Sequence, residues 1–317
     1  MNDRYAVLHQ YLLPKQALTL LAGRIAHWKG GPWTTRLVRD FVRRYDVDMG
    51  EALNPDIESY ASFNEFFTRS LRPDARPISS AEIVSPVDGA VSQLGRIDAD
   101  QIFQAKGRSY TATALLGGDA ELAAHFRDGL FATLYLSPRD YHRVHMPCEG
   151  RLRRMIHVPG DLFSVNPVTA RGVDRLFARN ERVVCIFDSA QGTFAMVLVG
   201  ATIVGSIATT WHGVVNAARS GKLKEWSYTD QDIRIGKGEE MGRFLLGSTV
   251  VMLFPQNRCR FNADWVAERI IRQGEAMAER HDGGVGGPAT AGGTAQAERL
   301  GSDQPGSDLP GGNSPRQ

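Results

Sequence analysis

Residues 136–147 read Leu-Ser-Pro-Arg-Asp-Tyr-His-Arg-Val-His-Met-Pro, and within them Arg139, Asp140, His142, Arg143 and His145 crowd into a short span beside apolar sequence. Two imidazoles so placed supply what proton transfer near neutral pH needs. Asp88, in the turn Ser85-Pro-Val-Asp-Gly89, and Ser248, in Gly247-Ser-Thr249, add a carboxylate and a hydroxyl. Asp88, His145 and Ser248 are the types for a relay in which the carboxylate orients the imidazole and the imidazole takes the hydroxyl proton. Gly247, with no side chain, lets a group approach its carbonyl, so the Ser248 hydroxyl can attack the chain's own backbone as well as an external acyl group. Plainer readings exist for each: Asp before Gly is a common turn residue, and Gly-Ser-Thr before Val250–Phe254 also suits a tight turn entering a buried strand. His142 and His145 could ligate a metal, but no third ligand with supporting spacing accompanies them, so no metal is expected.

Short β-branched runs punctuated by Gly and Pro must position these residues. They include Ile83-Val84, Val91–Leu94, Ala132–Leu136, Val183–Phe187, Ala195–Val199, Ile203-Val204 and Val250–Phe254. With a helix expected over 112–126 and no βαβ alternation, they predict a largely antiparallel β domain over 81–270 and exclude a dinucleotide fold. A chain of 317 residues with 42% hydrophobic content can bury a sizeable core. Its three cysteines, Cys148, Cys185 and Cys259, are too widely spaced for a disulfide framework or a zinc site, which suggests a reducing cytoplasm.

A net charge of +2 gives no reason to expect nucleic acid, but the charge is uneven. Residues 1–45 carry Arg4, Lys15, Arg24, Lys29, Arg36, Arg39, Arg43 and Arg44 against only Asp3 and Asp40. Leu18, Leu21, Ile25 and Trp28 recur at helical spacing, and after Gly30-Gly31-Pro32 a second stripe runs Trp33, Leu37, Phe41 and Tyr45. Such helices can pack on the protein's own core; arginine-rich polar faces and terminal tryptophans also suit an anionic bilayer surface. A third helical stretch with Phe63, Phe66 and Phe67 is expected over 49–80, closing a helical region 1–80 at the connector Arg69–Pro77. No apolar run reaches the length of a membrane span, and the start lacks the pattern of a signal peptide. Residues 281–317 are so dominated by Gly, Pro, Ser, Ala and Asp that they cannot make a core, and a disordered tail is expected. The fold class is therefore α+β: an amphipathic helical region, then the β-rich catalytic domain, then the tail.

Several segments together closely resemble the bacterial phosphatidylserine decarboxylase proenzymes. They are Tyr45–Met49, Phe63-Asn-Glu-Phe-Phe67, Pro86-Val-Asp-Gly89, Leu136–Pro147, Val158-Pro-Gly-Asp-Leu-Phe-Ser-Val-Asn166, Leu176–Arg182, Val199–Ser206 and Gly242-Arg-Phe-Leu-Leu-Gly-Ser-Thr249. Only the chain beyond about 265 falls outside the resemblance.

The resemblance implies self-cleavage between Gly247 and Ser248, giving a heterodimer of a β chain, 1–247, and an α chain, 248–317. Ser248 would become a pyruvoyl group, a covalent, self-derived cofactor that decarboxylates phosphatidylserine to phosphatidylethanolamine through a Schiff base. It assigns Asp88, His145 and Ser248 to cleavage and His142 to decarboxylation as proton donor. Phe163, Ser164 and Asn166 are candidates for the headgroup pocket. A phospholipid substrate favours the membrane reading of the helices, as a peripheral enzyme on the cytoplasmic face of an anionic cell membrane. The alternatives are a serine hydrolase with unprocessed Ser248 and a non-catalytic protein that binds anionic lipid.

Overall fold

The computed structural model describes residues 15–202, 206–215, 221–245 and 248–280. The expected tail at 281–317, the strand at Ile203-Val204, Leu246 and Gly247 lie outside the described residues, as does the side chain of Ser248.

The apolar run at 250–254 forms the strand Ser248–Phe254, which sits inside the largest sheet. It pairs antiparallel with Leu130–Leu136 on one side and with Gly192–Val199 on the other. Beyond these lie Arg182–Ser189, Gly150–Val158 and Lys224–Ser227 in one direction, and Gly89–Arg96 and Ile270–Ile271 in the other, with every pairing antiparallel. Alternation explains why the run has no polar face: Val250, Met252 and Phe254 enter one core, Val251 and Leu253 the other. Both sheet faces are thus covered. The strand Gly150–Val158 escapes a period-two reading because Arg151, Arg153 and Arg154 interrupt its buried residues Leu152, Met155 and Ile156.

A smaller sheet carries the histidine segment. Arg143–His145 pairs with Glu240–Phe244, which pairs in turn with Ile207–Thr209. The expected helix over 112–126 is two short ones, Ala112–Leu115 and Ala120–Ala124, interrupted at Gly117 and Gly118, where φ of 88° and 95° stops the first.

Near the start, the helices Lys15–His27 and Pro32–Tyr45 are separated at Gly30-Gly31, with Pro32 opening the second. In place of a long third helix, residues 49–80 hold two single 3-10 turns and the helix Phe63–Phe67. Pro55, Pro73 and Pro77 punctuate the segment, and Asp48 and Asp56 cap the turns with their own side chains. The short helix has a reciprocal capping box: the Glu65 amide donates to Ser62 Oγ, and the Ala61 amide donates to the Glu65 carboxylate. Phe63, Phe66 and Phe67 join Ala26 and Val38 in a third core cluster, as their aromatic clustering predicts.

Candidate active site

The loop from Leu136 into the histidines is built by its own side chains. The Ser137 amide donates to Asp140 Oδ2 at 2.7 Å and the Asp140 amide returns a bond to the Ser137 carbonyl at 3.0 Å. Burial raises the Asp140 pKa, against the lowering effect of the Ser137 bonds. The turn aims the Asp140 carbonyl at His142 Nδ1, 2.7 Å away. A carbonyl only accepts, so Nδ1 carries the proton and Nε2 holds the lone pair. Nε2 is buried without a partner among the described residues, and the ring lies 4.1 Å from the Phe67 ring. Burial drives the His142 pKa down to about 3; the Asp140 bond opposes it and the Arg69 charge adds to it. His142 is thus a neutral imidazole with an unused basic nitrogen.

His145 is held in the same tautomer. Its Nδ1 donates to the Gly238 carbonyl at 2.8 Å, and its Nε2 accepts from the Tyr141 hydroxyl at 3.2 Å. Burial lowers its pKa too, opposed by the Gly238 bond and the Glu240 and Asp88 charges, while the Arg143 charge lowers it further. Its backbone amide donates to the Pro86 carbonyl at 2.9 Å, which fastens the histidine strand to the Asp88 turn.

Asp88 itself is held by other partners. Its Oδ1 accepts from Arg76 Nε at 2.9 Å and from the Gln273 amide at 2.8 Å, and its Oδ2 accepts from Arg76 Nη2 at 2.6 Å. Arg76 also reaches Glu51 at 2.6 Å, and Arg272 holds the other Glu51 oxygen at 2.8 Å. Burial works against the Arg76 charge, but its bonds to Asp88 and Glu51 prevail and raise its pKa above the usual arginine value. No hydrogen bond joins Asp88 to His145; the carboxylate acts on the imidazole through its charge. Gly89 is required next to it: at φ 149° a Cβ would lie 2.2 Å from the Tyr135 carbonyl oxygen.

Ser248 enters the same neighbourhood through strand register. Its backbone pairs with Leu136, the residue before the histidine loop. Upstream, the Phe244 amide donates to the His142 carbonyl at 3.0 Å and the Leu245 amide to the Ser206 carbonyl at 3.0 Å. Only residues 245–247 separate an anchor on His142 from Ser248, so the two ends lie within about 14 Å of each other by chain reach. The sequence separation of Asp88, His142, His145 and Ser248 is thereby closed by four strands and one loop.

The segment with Phe163, Ser164 and Asn166 is placed elsewhere. Phe163 is buried in the core under the Arg179 guanidinium, and Asn166 caps the helix Pro167–Gly172 by accepting from the Thr169 amide. Ser164 Oγ accepts from the Asn166 amide. None of the three lines the open cavity of about 250 Å³ whose lining includes Asp88, Asp140, Tyr141, Arg69, Arg139 and Arg272.

Sequence reasoning missed Tyr141, though it lies inside the ionisable cluster. It also missed Arg76, which looked like part of a linker. Burial holds the Tyr141 pKa up at about 12, so its hydroxyl remains a donor at neutral pH.

A model of the phosphatidylserine decarboxylase family matches residues 63–279, and a second, described only as PSD, matches residues 5–46. The phosphatidylserine decarboxylase proenzyme of Azoarcus sp. (strain BH72) is 67% identical over 279 residues, covering 88% of this chain and 97% of that protein. That of Variovorax paradoxus (strain S110) is 68% identical over 278 residues, covering 88% and 98%. This chain belongs to the phosphatidylserine decarboxylase family.

Proposed function

We propose that this protein is a proenzyme that cuts itself between Gly247 and Ser248 and then converts phosphatidylserine to phosphatidylethanolamine. The observation that carries the reading is the tautomer of His145, whose Nε2 lone pair lies on the strand pair leading into Gly247-Ser248. In the first step Nε2 takes the Ser248 hydroxyl proton, and the oxygen attacks the Gly247 carbonyl carbon. The C–N bond breaks as the proton passes to the Ser248 nitrogen, leaving an ester. Loss of the Ser248 α-proton then expels the Gly247 carboxylate and leaves dehydroalanine. Addition of water and departure of ammonia leave a pyruvoyl group at the head of the α chain, 248–317, with the β chain, 1–247, as its partner. Asp88, clamped by Arg76 and Gln273, supports the base as a fixed negative charge that favours the transient imidazolium.

The pyruvoyl carbonyl would supply the electron sink for the pair released when carbon dioxide leaves. His142 manages the proton. Its buried Nε2, neutral at rest, takes a proton that the substrate ammonium gives up on condensing with the carbonyl, and because burial disfavours the imidazolium it yields that proton readily to the carbon that lost the carboxylate.

The region 1–80 is proposed as the membrane-associating part. Leu21, Ile25, Trp28, Trp33 and Leu37 are exposed, Trp33 by 69%, among the exposed Arg24, Lys29 and Arg36. These five residues of the two stripes therefore face outward, while Phe41 and Tyr45 pack with Ala26 and Val38 on the core. Tryptophans and basic residues on one exposed surface fit a peripheral site on an anionic leaflet, on the cytoplasmic face. None of the described helices is long and apolar enough to cross a membrane.

Intact mass of the purified protein tests the reading. We expect two fragments, the smaller with a blocked N-terminus, and for Ser248→Ala a single chain of 34.8 kDa without carbon dioxide release. A wild-type chain that stays whole and active would make it an unprocessed hydrolase instead.

A further inference from the structure

Arg69 follows the helix Phe63–Phe67 and is only 6% exposed. Its guanidinium stands 5.3 Å over the Phe66 ring. Among the described residues its one hydrogen bond, from Nη2 to the Arg139 carbonyl, is 3.5 Å long, and its buried Nε has no partner. The other buried arginines are satisfied: Arg76 by Asp88 and Glu51, Arg182 by the carbonyls of Leu115, Asn180 and Ala114. Burial of Arg69 disfavours its charge, and the negative groups that act on it do not restore its usual pKa. A buried cation left without a counter-ion is costly, and the cost persists only where something else keeps the residue.

Arg69 lines the 250 Å³ cavity with Asp88, Asp140 and Tyr141, and its charge reaches His142. The cavity therefore presents an unspent cation on the same lining as Asp88 and Tyr141. Of the carboxylates on the same wall, Glu51 and Asp88 are ion-paired with Arg76 and Arg272, Asp140 accepts from the Ser137 amide and pairs with Arg139 at 3.9 Å, Asp48 accepts from the Gly50 amide, and Asp46 completes the lining. Of the four lining arginines, Arg69 is the one with no ion pair among the described residues, and an anion seats best on its guanidinium.

A serine phospholipid headgroup offers two anions, and chemistry separates them. The carboxylate loses its charge as carbon dioxide leaves, so an ion pair to it would weaken toward the transition state and slow the step. The phosphodiester keeps its charge throughout, and binding it is equally strong in ground and transition states. We propose that Arg69 receives the phosphodiester of the headgroup. This rests on the decarboxylase reading above.

The test uses the processed enzyme with two soluble substrates, short-chain phosphatidylserine and an O-alkyl serine that lacks the phosphate. Wild-type cleavage and carbon dioxide release establish the underlying reading first; their absence would overturn that reading rather than the assignment of Arg69. For Arg69→Gln we expect KM for the phospholipid to rise about 10- to 100-fold, the loss of one charge-assisted contact, with kcat changed less than about threefold. Arg69→Lys should recover part of the loss. KM for the O-alkyl serine should move little in either variant. Inorganic phosphate should compete with the phospholipid in the wild type and lose that competition in Arg69→Gln, which separates the phosphate group from the rest of the lipid. Equal losses on both substrates, or a fall in kcat with KM kept, would overturn the proposal. If Arg69→Gln does not self-cleave, Arg69→Lys carries the comparison; failure of both to self-cleave would make Arg69 a residue of the fold and overturn it as well.

Discussion

Tyr141→Phe should make the proenzyme cut itself faster. The Tyr141 hydroxyl donates to His145 Nε2 at 3.2 Å, the atom that must receive the Ser248 proton. A phenol whose pKa is held at about 12 stays protonated at neutral pH, so it competes for that lone pair without serving as a base. Removing it has two effects of one sign. It spares Ser248 a hydrogen bond to displace, worth about 0.5–1.5 kcal/mol net. It also removes a donor that favours the neutral imidazole, which makes His145 the stronger base. At 1.36 kcal/mol per decade the first effect alone gives about two- to tenfold. Cell-free synthesis followed by timed quenching would show the 34.8 kDa chain giving way to fragments on a denaturing gel. Because the His145 pKa is lowered, the rate should be level at neutral pH and decline only below the ordinary imidazole range. Slower or unaltered cleavage in Tyr141→Phe would refute the reasoning, since the phenol would then be a helper at Nε2 and not a competitor.

The two histidines should separate by step: His145→Ala stays uncleaved, while His142→Ala is cleaved and decarboxylates poorly, both read from gels and carbon dioxide release. The opposite pattern would exchange their roles. His142 also makes the fold sensitive to acid. Its pKa falls from 6.5 to about 3 on folding, so between those values the unfolded chain binds more protons and stability declines as pH falls, by about 1.4 kcal/mol per unit from this residue. In the uncleaved Ser248→Ala background, where unfolding stays within one molecule, urea midpoints at pH 7 and pH 5 should therefore differ less with His142→Gln added than without it. Replacing Trp28 and Trp33 together by Ser should weaken flotation with anionic vesicles about tenfold or more, with activity on short-chain soluble phosphatidylserine retained.

Period and residue type made much of the architecture legible. Val250–Phe254 was readable as a buried strand because both its faces are apolar, and the N-terminal stripes because they repeat at helical spacing. Asp88, His142 and His145 stood out as ionisable groups set in turns and beside apolar runs. What holds them was not readable. Gly238 reaches His145 through a backbone carbonyl, which no sequence pattern marks, and the Gln273 amide reaches Asp88 across 185 positions. Arg76 sits among prolines and looks like a connector, yet its guanidinium joins the buried Asp88 to the half-buried Glu51. The long helix expected over 49–80 failed on local chemistry, because Asp48, Asp56 and the prolines divert the backbone into separate turns.

The position of Ser248 at the head of an interior strand also fixes what kind of object the processed protein would be. The seven residues Ser248–Phe254 are laced to a neighbour on each side, so a cut before them opens the covalent chain while both ladders stay closed. The small fragment is then retained as a rivet through the sheet. Folding before the cut is an event within one molecule; unfolding after it releases two. Recovery would depend on their meeting again at cellular concentration, so a chain that has matured has spent its ability to refold alone. Such an enzyme would persist by the slowness of its opening rather than by any equilibrium with the unfolded state.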